Sequence, residues 1–398
     1  MSYQSNNIKN AIHGFFVSVA TTVAEQNTIL PLIVHHFTQN LIVIGIFATL
    51  LRGGAIVSQL FAAFHAQSYK RVMPYLKIVF LFRFLSWFSI GLFIFFIGDK
   101  NKILTLWLIG ISLFFFSFSA GFGGIYFKEI IAKSFSKELR GKTMANKQLF
   151  ASFGSLISGG VAGIVLQKFE APNSYAYLFI ISATLLFIGF YAFSKIDEPT
   201  KNNISKKEES FGLFIKNSYD IFKKDQRLRT QIFIILLIYA HLLSMPFIII
   251  KAKESIEMSG VFIGSLITLS MVGSIIGNII LWKRFTQNYI MMLRVSILLM
   301  IVLFIIALFA KNSYQYGIIF FIYGIARDGF RNAQMNIIID IAPENKRPVY
   351  VAIESTITSI GLFFPIIGGI VLKFLSFSSL YMITIISLLI ALFFTKRY

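Results

Sequence analysis

Twelve apolar runs, each of about twenty residues and separated by short polar breaks, leave this chain few ways to fold. A helix rises about 1.5 Å per residue, so each run is long enough to cross a hydrocarbon core roughly 30 Å thick. The runs fall near 11–34, 41–64, 75–97, 103–127, 142–167, 174–194, 231–250, 260–282, 289–310, 314–339, 349–372 and 375–395. They are too long and too uniformly apolar for the alternation of a membrane β-barrel, which runs to about ten residues per strand. Of the 398 residues, 56% are hydrophobic and 14% charged, whereas a soluble globular chain carries about 25% charged residues. A water-soluble fold of this size could not cover so much Phe, Ile and Leu. The expected fold is an all-α polytopic membrane protein with twelve transmembrane helices.

The formal net charge of +20 would suggest nucleic acid in a soluble protein, but here its placement matters more. With the N-terminus in the cytoplasm, the inner loops carry Lys70, Arg71, Lys77, Lys133, Lys137, Arg140, Lys142, Lys283, Arg284, Lys346, Arg347, Lys396 and Arg397. The outer loops carry fewer: Lys100, Lys102, Lys168, Lys251, Lys253, Lys311 and Lys373. This asymmetry predicts both termini in the cytoplasm of a cell whose inner membrane holds the chain. No nucleic-acid partner is expected. The absence of Cys excludes disulfides and thiolate metal sites. The polar stretch Met1 to Asn10 leads into a long apolar segment without a small-residue cleavage site, so no cleaved signal peptide is expected.

One long hydrophilic stretch divides the chain into an N-terminal six-span bundle over 1–194, a cytoplasmic linker over 195–229 and a C-terminal six-span bundle over 230–398. The linker's first part, Asp197 to Ser210, is charged and expected to be flexible. Its second part sets Phe211, Phe214, Ile215 and Phe222 among Lys216, Lys223 and Lys224. That spacing suits either an amphipathic helix at the anionic inner leaflet or a solvated linker.

The two halves look alike. Ile29-Leu-Pro31-Leu-Ile33 in span 1 resembles Ser244-Met-Pro246-Phe-Ile248 in span 7. Ile44-Gly45 and Gly54 in span 2 match Ile263-Gly264 and Gly273 in span 8 at one constant offset. Gly163-Ile-Val-Leu166 in span 5 resembles Gly369-Ile-Val-Leu372 in span 11. Six plus six spans with repeated halves resemble the major facilitator superfamily over nearly the whole chain. That resemblance implies two six-helix bundles related by a pseudo-two-fold axis, secondary transport by alternating access, and a monomer.

In that family the loop after span 2 usually combines glycines, an Asp-Arg pair and basic residues. Here Phe64-His65-Ala66-Gln67-Ser68-Tyr69-Lys70-Arg71 keeps the basic residues and lacks the Asp. Gly154, Ser158, Gly159, Gly160 and Gly163 in span 5, with Gly361, Pro365, Gly368 and Gly369 in span 11, resemble the small-residue pattern of the antiporter branch. Plain helix packing explains them equally well.

Charges within the spans carry the functional expectations, because a charge at the bilayer centre costs about 2.5–3.5 kcal/mol on the gentlest scale. Glu25, flanked by Gln26 and Asn27, lies mid-way along span 1 and is the candidate proton-coupling residue. It is expected to protonate in one part of a cycle and to pair with Arg52 or substrate in another; the alternative is a fixed Glu–Arg pair locking two helices. Gln26, Arg52, His241, Arg327 and Asp328 are the candidate substrate contacts, since Arg grips carboxylate or phosphate in a bidentate manner. For Arg327 the alternative is a pair with Asp328, and for His241 a single hydrogen bond inside the bundle. Arg83 lies eight or so residues into span 3 with no role assigned. Glu129, Lys133, Arg140, Lys147, Arg331 and Glu354 near the inner face are expected to form interdomain gate salt bridges. His35 and His36 are placed in an outer loop without a nearby carboxylate, and no metal site or cofactor is expected.

Gly141-Lys142-Thr143 is not a phosphate loop, because position 136 is Ser and a membrane helix precedes it. No hydrolase or metalloprotease motif is present. The leading expectation is a proton-coupled carrier of a small polar solute, anionic or zwitterionic. The alternative is a proton-driven efflux pump for lipophilic cations, with Glu25 as cation partner and some of the 45 Phe residues forming its pocket. An intramembrane enzyme would need a nucleophile–base or metal constellation, and a non-transporting sensor would bind ligand without moving it.

Overall fold

A computed structural model describes residues 3–23, 25, 27–66, 69–200, 211–285, 288–343 and 347–397. The described chain is helical throughout, as lipid demands, because a helix satisfies its own backbone hydrogen bonds where no water can. Span 1 is α1 (Tyr3–Val23) followed by α2 (Ile29–Phe37), and spans 2 to 6 are α3 (Leu41–Ala66), α4 (Met73–Phe96), α5 (Lys102–Ser134), α6 (Lys137–Lys168) and α7 (Asn173–Ser194). A connecting helix α8 (Phe211–Lys224) follows. Span 7 is α9 (Gln226–Ile238) with α10 (His241–Ser255), and α11 (Gly260–Ile276), α12 (Tyr289–Phe309) and α13 (Ser313–Ile341) form spans 8 to 10. Span 11 is α14 (Arg347–Thr358) and α15 (Phe364–Phe374) joined by a 3-10 turn, and α16 (Phe377–Phe394) is span 12.

Among the described residues, nine helical segments are long and apolar enough to cross a membrane, and Leu41–Ile56 adds a shorter apolar stretch. Large apolar side chains such as Trp107, Ile103, Ile164 and Phe309 stand about two-thirds exposed. That pattern fits lipid as the outer solvent and would be an aggregation surface in water.

Span 1 breaks where its sequence forbids continuity. Pro31 has no N–H to offer the carbonyl of Asn27, and its ring would clash with that carbonyl. The helix therefore ends at Val23 and restarts at Ile29, which places Pro31 in the first turn, where the N–H is not needed. Span 7 is interrupted at the position that the repeat pairs with this one. There Leu242 N–H donates to Tyr239 O at 2.8 Å and Leu243 N–H to Ala240 O at 2.9 Å, a tight turn between α9 and α10. Span 8 ends in a π-helical turn over Gly277–Leu281 and a 3-10 turn over Trp282–Phe285.

The chain forms two compact units that do not follow its halves strictly. The first contains 1–39, 50–207 and 259–268; the second contains 40–49, 208–258 and 269–398. In the first, Gly264 at the start of α11 presses on the Gly159 carbonyl of α6, leaving no room for a Cβ. In the second, Gly45 at the start of α3 presses on the Pro365 carbonyl of α15 in the same way.

The stretch after α7 departs from the flexible linker expected. Glu198 is buried, and its carboxylate accepts the N–H groups of Val72 at 2.9 Å and Met73 at 2.8 Å and the Lys133 ammonium at 2.9 Å. The start of α4 has unsatisfied N–H donors, and Glu198 supplies their acceptor. Residues 201–210 lie outside the described residues. In α8, Ile221 and Phe222 pack against a cluster of Leu228, Ile232, Ile338, Ala342, Tyr350 and Ile353.

Candidate functional site

In the first unit, the break in span 1 is organised by Glu25. Its carboxylate accepts the Asn27 N–H at 2.7 Å, the Asn27 side-chain amide at 3.1 Å and the Thr28 hydroxyl at 3.2 Å. Its own carbonyl accepts the Leu30 N–H at 3.2 Å. A carboxylate at the buried N-terminal end of α2 meets the positive end of the helix dipole and the first free N–H groups. Arg52 is exposed on α3, and Glu25 in this structure bonds its own loop and not Arg52. Gln26 lies outside the described residues.

In the second unit, Asp328 on α13 is nearly fully buried and gathers several donors. It accepts from the Ser274 hydroxyl, the Asn278 amide at 2.8 Å and the Arg331 guanidinium at 3.2 Å, with Arg327 Nε at 3.7 Å. Asn332 donates to the Asn278 carbonyl oxygen at 3.2 Å, extending the network. The π-helical turn beginning at Gly277 brings Asn278 to this carboxylate, a common use of such turns. From the sequence, Arg327 and Asp328 were expected to contact substrate, with a pair between them as the alternative, and Ser274 and Asn278 were missed. Their four-residue spacing on one face of span 8 was the available signal. Arg327 also lies over the Tyr323 ring, 5.6 Å from its centroid. His241 opens α10, buried, with Nδ1 2.8 Å from the Ile238 carbonyl and Tyr323 and Phe330 around its ring.

The residues expected at gates have partners within their own units. Glu129 lies 3.6 Å from Lys133, one turn along α5. Arg140 donates to the Ala132 and Phe135 carbonyls at 2.5 and 3.1 Å, closing the end of α5. Glu354 is buried and accepts from the Gln231 amide at 3.0 Å. Lys147 lies over the Phe127 ring at 3.9 Å. His35 and His36 belong to the last turn of α2, and His36 Nε2 is 3.0 Å from the Asp99 carboxylate. Asp99 comes from a different loop, which sequence adjacency could not reveal. No group of three potential ligands suits a metal ion among the described residues.

Spanning helices in two units, interrupted helices at repeat-related positions and buried polar groups at those interruptions define a multi-span membrane transporter fold. The chain belongs to the Major Facilitator Superfamily, whose family model matches residues 11–252 and 232–398. Its fold resembles that of a mutant form of the nucleoside transporter NupG, with 12% identity, a TM-score of 0.75 and coverage of 98% of this chain and 99% of that one. It also resembles a bacterial homologue of the iron transporter ferroportin in an inward-facing state, at 12% identity, TM-score 0.74 and coverage of 100% and 99%. The xylose transporter XylE from E. coli, inward open, matches at 15% identity, TM-score 0.67 and coverage of 98% and 94%. No curated protein sequence matches the chain. Membrane transport is therefore its function class.

Proposed function

We propose that the protein is a proton-coupled carrier, monomeric in the inner membrane with both termini cytoplasmic, moving a small polar anionic or zwitterionic solute by alternating access. Support comes first from Glu25, a carboxylate that holds the break in span 1 through three accepted hydrogen bonds. Loss of its charge on protonation removes the anion from the end of α2 and frees Asn27 and Thr28 to bond solute or water. A proton and a solute that compete for the same loop are thermodynamically linked. The Asp328 network offers the second unit a matching polar centre, in which Arg327 remains the candidate solute contact. NupG and XylE are named for a nucleoside and a sugar, both small polar solutes.

Purified protein in liposomes tests the coupling. Glu25→Gln keeps the side chain's size and removes its titration. Solute counterflow is expected to survive, while uphill accumulation under an imposed proton gradient is lost. Accumulation that follows the gradient as in the wild type would remove Glu25 from the coupling. Uptake of lipophilic cations that requires Glu25 would favour the efflux alternative.

A further inference from the structure

Inside the first unit, two cations and a histidine occupy one aromatic enclosure that the reading above does not use. His13 lies mid-way along α1, 6% exposed, and its Nδ1 has no hydrogen-bond partner. Its ring stacks on Phe127 of α5 at 5.5 Å and meets Phe193 of α7 at 4.8 Å and Phe190 of α7 at 6.1 Å. The guanidinium of Arg83, from α4, lies 4.4 Å from the Phe116 centroid and 5.3 Å from that of Phe190, and its buried Nε also has no partner. The ammonium of Lys147, from α6, stands 3.9 Å over Phe127. Phe190 therefore contacts both Arg83 and His13, and Phe127 both Lys147 and His13. The approach of α6 depends on Gly14, next to His13, where a Cβ would strike the stem and carbonyl of Lys147.

No hydrogen bond or ion pair joins Arg83 or Lys147 to a described residue. Aromatic faces attract such cations by about 0.5–2 kcal/mol each. That falls short of the several kcal/mol that removing an ion from water costs. Two buried nitrogens without acceptors add to the deficit. An acceptor-rich anion would satisfy all three groups at once: bidentate on Arg83, charge-paired with Lys147 and accepting from a His13 that carries its proton on Nδ1. The anionic-solute reading above supplies the source, a free solute rather than a lipid headgroup.

We infer that His13, Arg83 and Lys147 form a subsite for the carboxylate or phosphate group of the solute that this protein carries. The inference rests on the anionic-solute reading above and assigns that reading's anionic group to the first unit.

Thermal stability of purified full-length protein in detergent tests it, with succinate and inorganic phosphate as probes and sodium chloride at equal ionic strength as reference. A ligand that binds the folded state raises the melting temperature with concentration. At least one probe is expected to do so in the wild type, with the apparent Kd weakened roughly tenfold or more in Lys147→Met and Arg83→Gln. His13→Phe keeps an aromatic ring in an aromatic enclosure, should fold if either of the others does not, and should weaken the same probe. A flat wild-type response to both probes, or wild-type affinity in every variant that folds, overturns the subsite. Counterflow without probe binding would sink the subsite and leave the carrier reading standing. Probe binding without counterflow would do the reverse.

Discussion

The carboxylate of Glu198 takes two backbone N–H groups and the Lys133 ammonium at once, and all of these partners lie far from it along the chain. Replacing it with Ala leaves those donors buried without an acceptor, at about 1–3 kcal/mol for each group that water cannot reach. Glu198→Ala is therefore expected to lower the melting temperature in detergent clearly, and an unchanged melting curve would mean that water reaches the start of α4. Nothing near Glu198 in sequence marks it. It sits at the head of a hydrophilic stretch that composition alone assigns to a flexible linker. Glu25 differs in this respect. Its partners Asn27 and Thr28 are sequence neighbours, yet the apolar run over 11–34 reads as one continuous span, and the structure alone shows the break before Pro31.

At the scale of an element, α9 shows how a spanning helix is started. Asp225 accepts the Leu228 N–H at 3.1 Å as its N-cap and the Tyr350 hydroxyl at 2.7 Å. Burial pushes this carboxyl up, but the Tyr350 hydroxyl, the Leu228 and Arg227 N–H groups and the Arg227 charge outweigh it and hold the carboxyl below its usual range. A lowered folded-state pKa stabilises the fold at pH values above the unfolded carboxylate range, and that stabilisation disappears as pH falls through the folded value. Wild type should therefore lose stability below about pH 4, and Asp225→Asn should flatten that part of the curve followed by circular dichroism. At pH 7 Asp225→Ala, which removes the cap acceptor altogether, should cost about 0.5–2 kcal/mol. A variant with the wild-type acid profile would show that other carboxylates control this range. For α8 the sequence left an amphipathic helix and a solvated linker open, and nothing in it marked the surface the helix covers. Its Ile221 and Phe222 rest on residues of α9, α13 and α14 that only folding brings together.

For the whole molecule, topology is the property most open to test, because the chain has no native Cys. Lys100→Cys lies in a loop expected outside, and Lys70→Cys in one expected inside. In intact cells a membrane-impermeant maleimide should label only the first, and both after permeabilisation. The opposite pattern would invert the assigned orientation. Local hydrophobicity and recurring motifs establish that the chain crosses a membrane as helices and that its halves repeat, and neighbours along the chain decide both. Packing of the folded chain brings Ser274 and Asn278 to Asp328, Glu198 to the start of α4, and His13, Arg83 and Lys147 into one enclosure. Those groupings join residues tens to more than a hundred positions apart. Their identity is set by which helix faces pack together, and no local pattern in the chain encodes that choice.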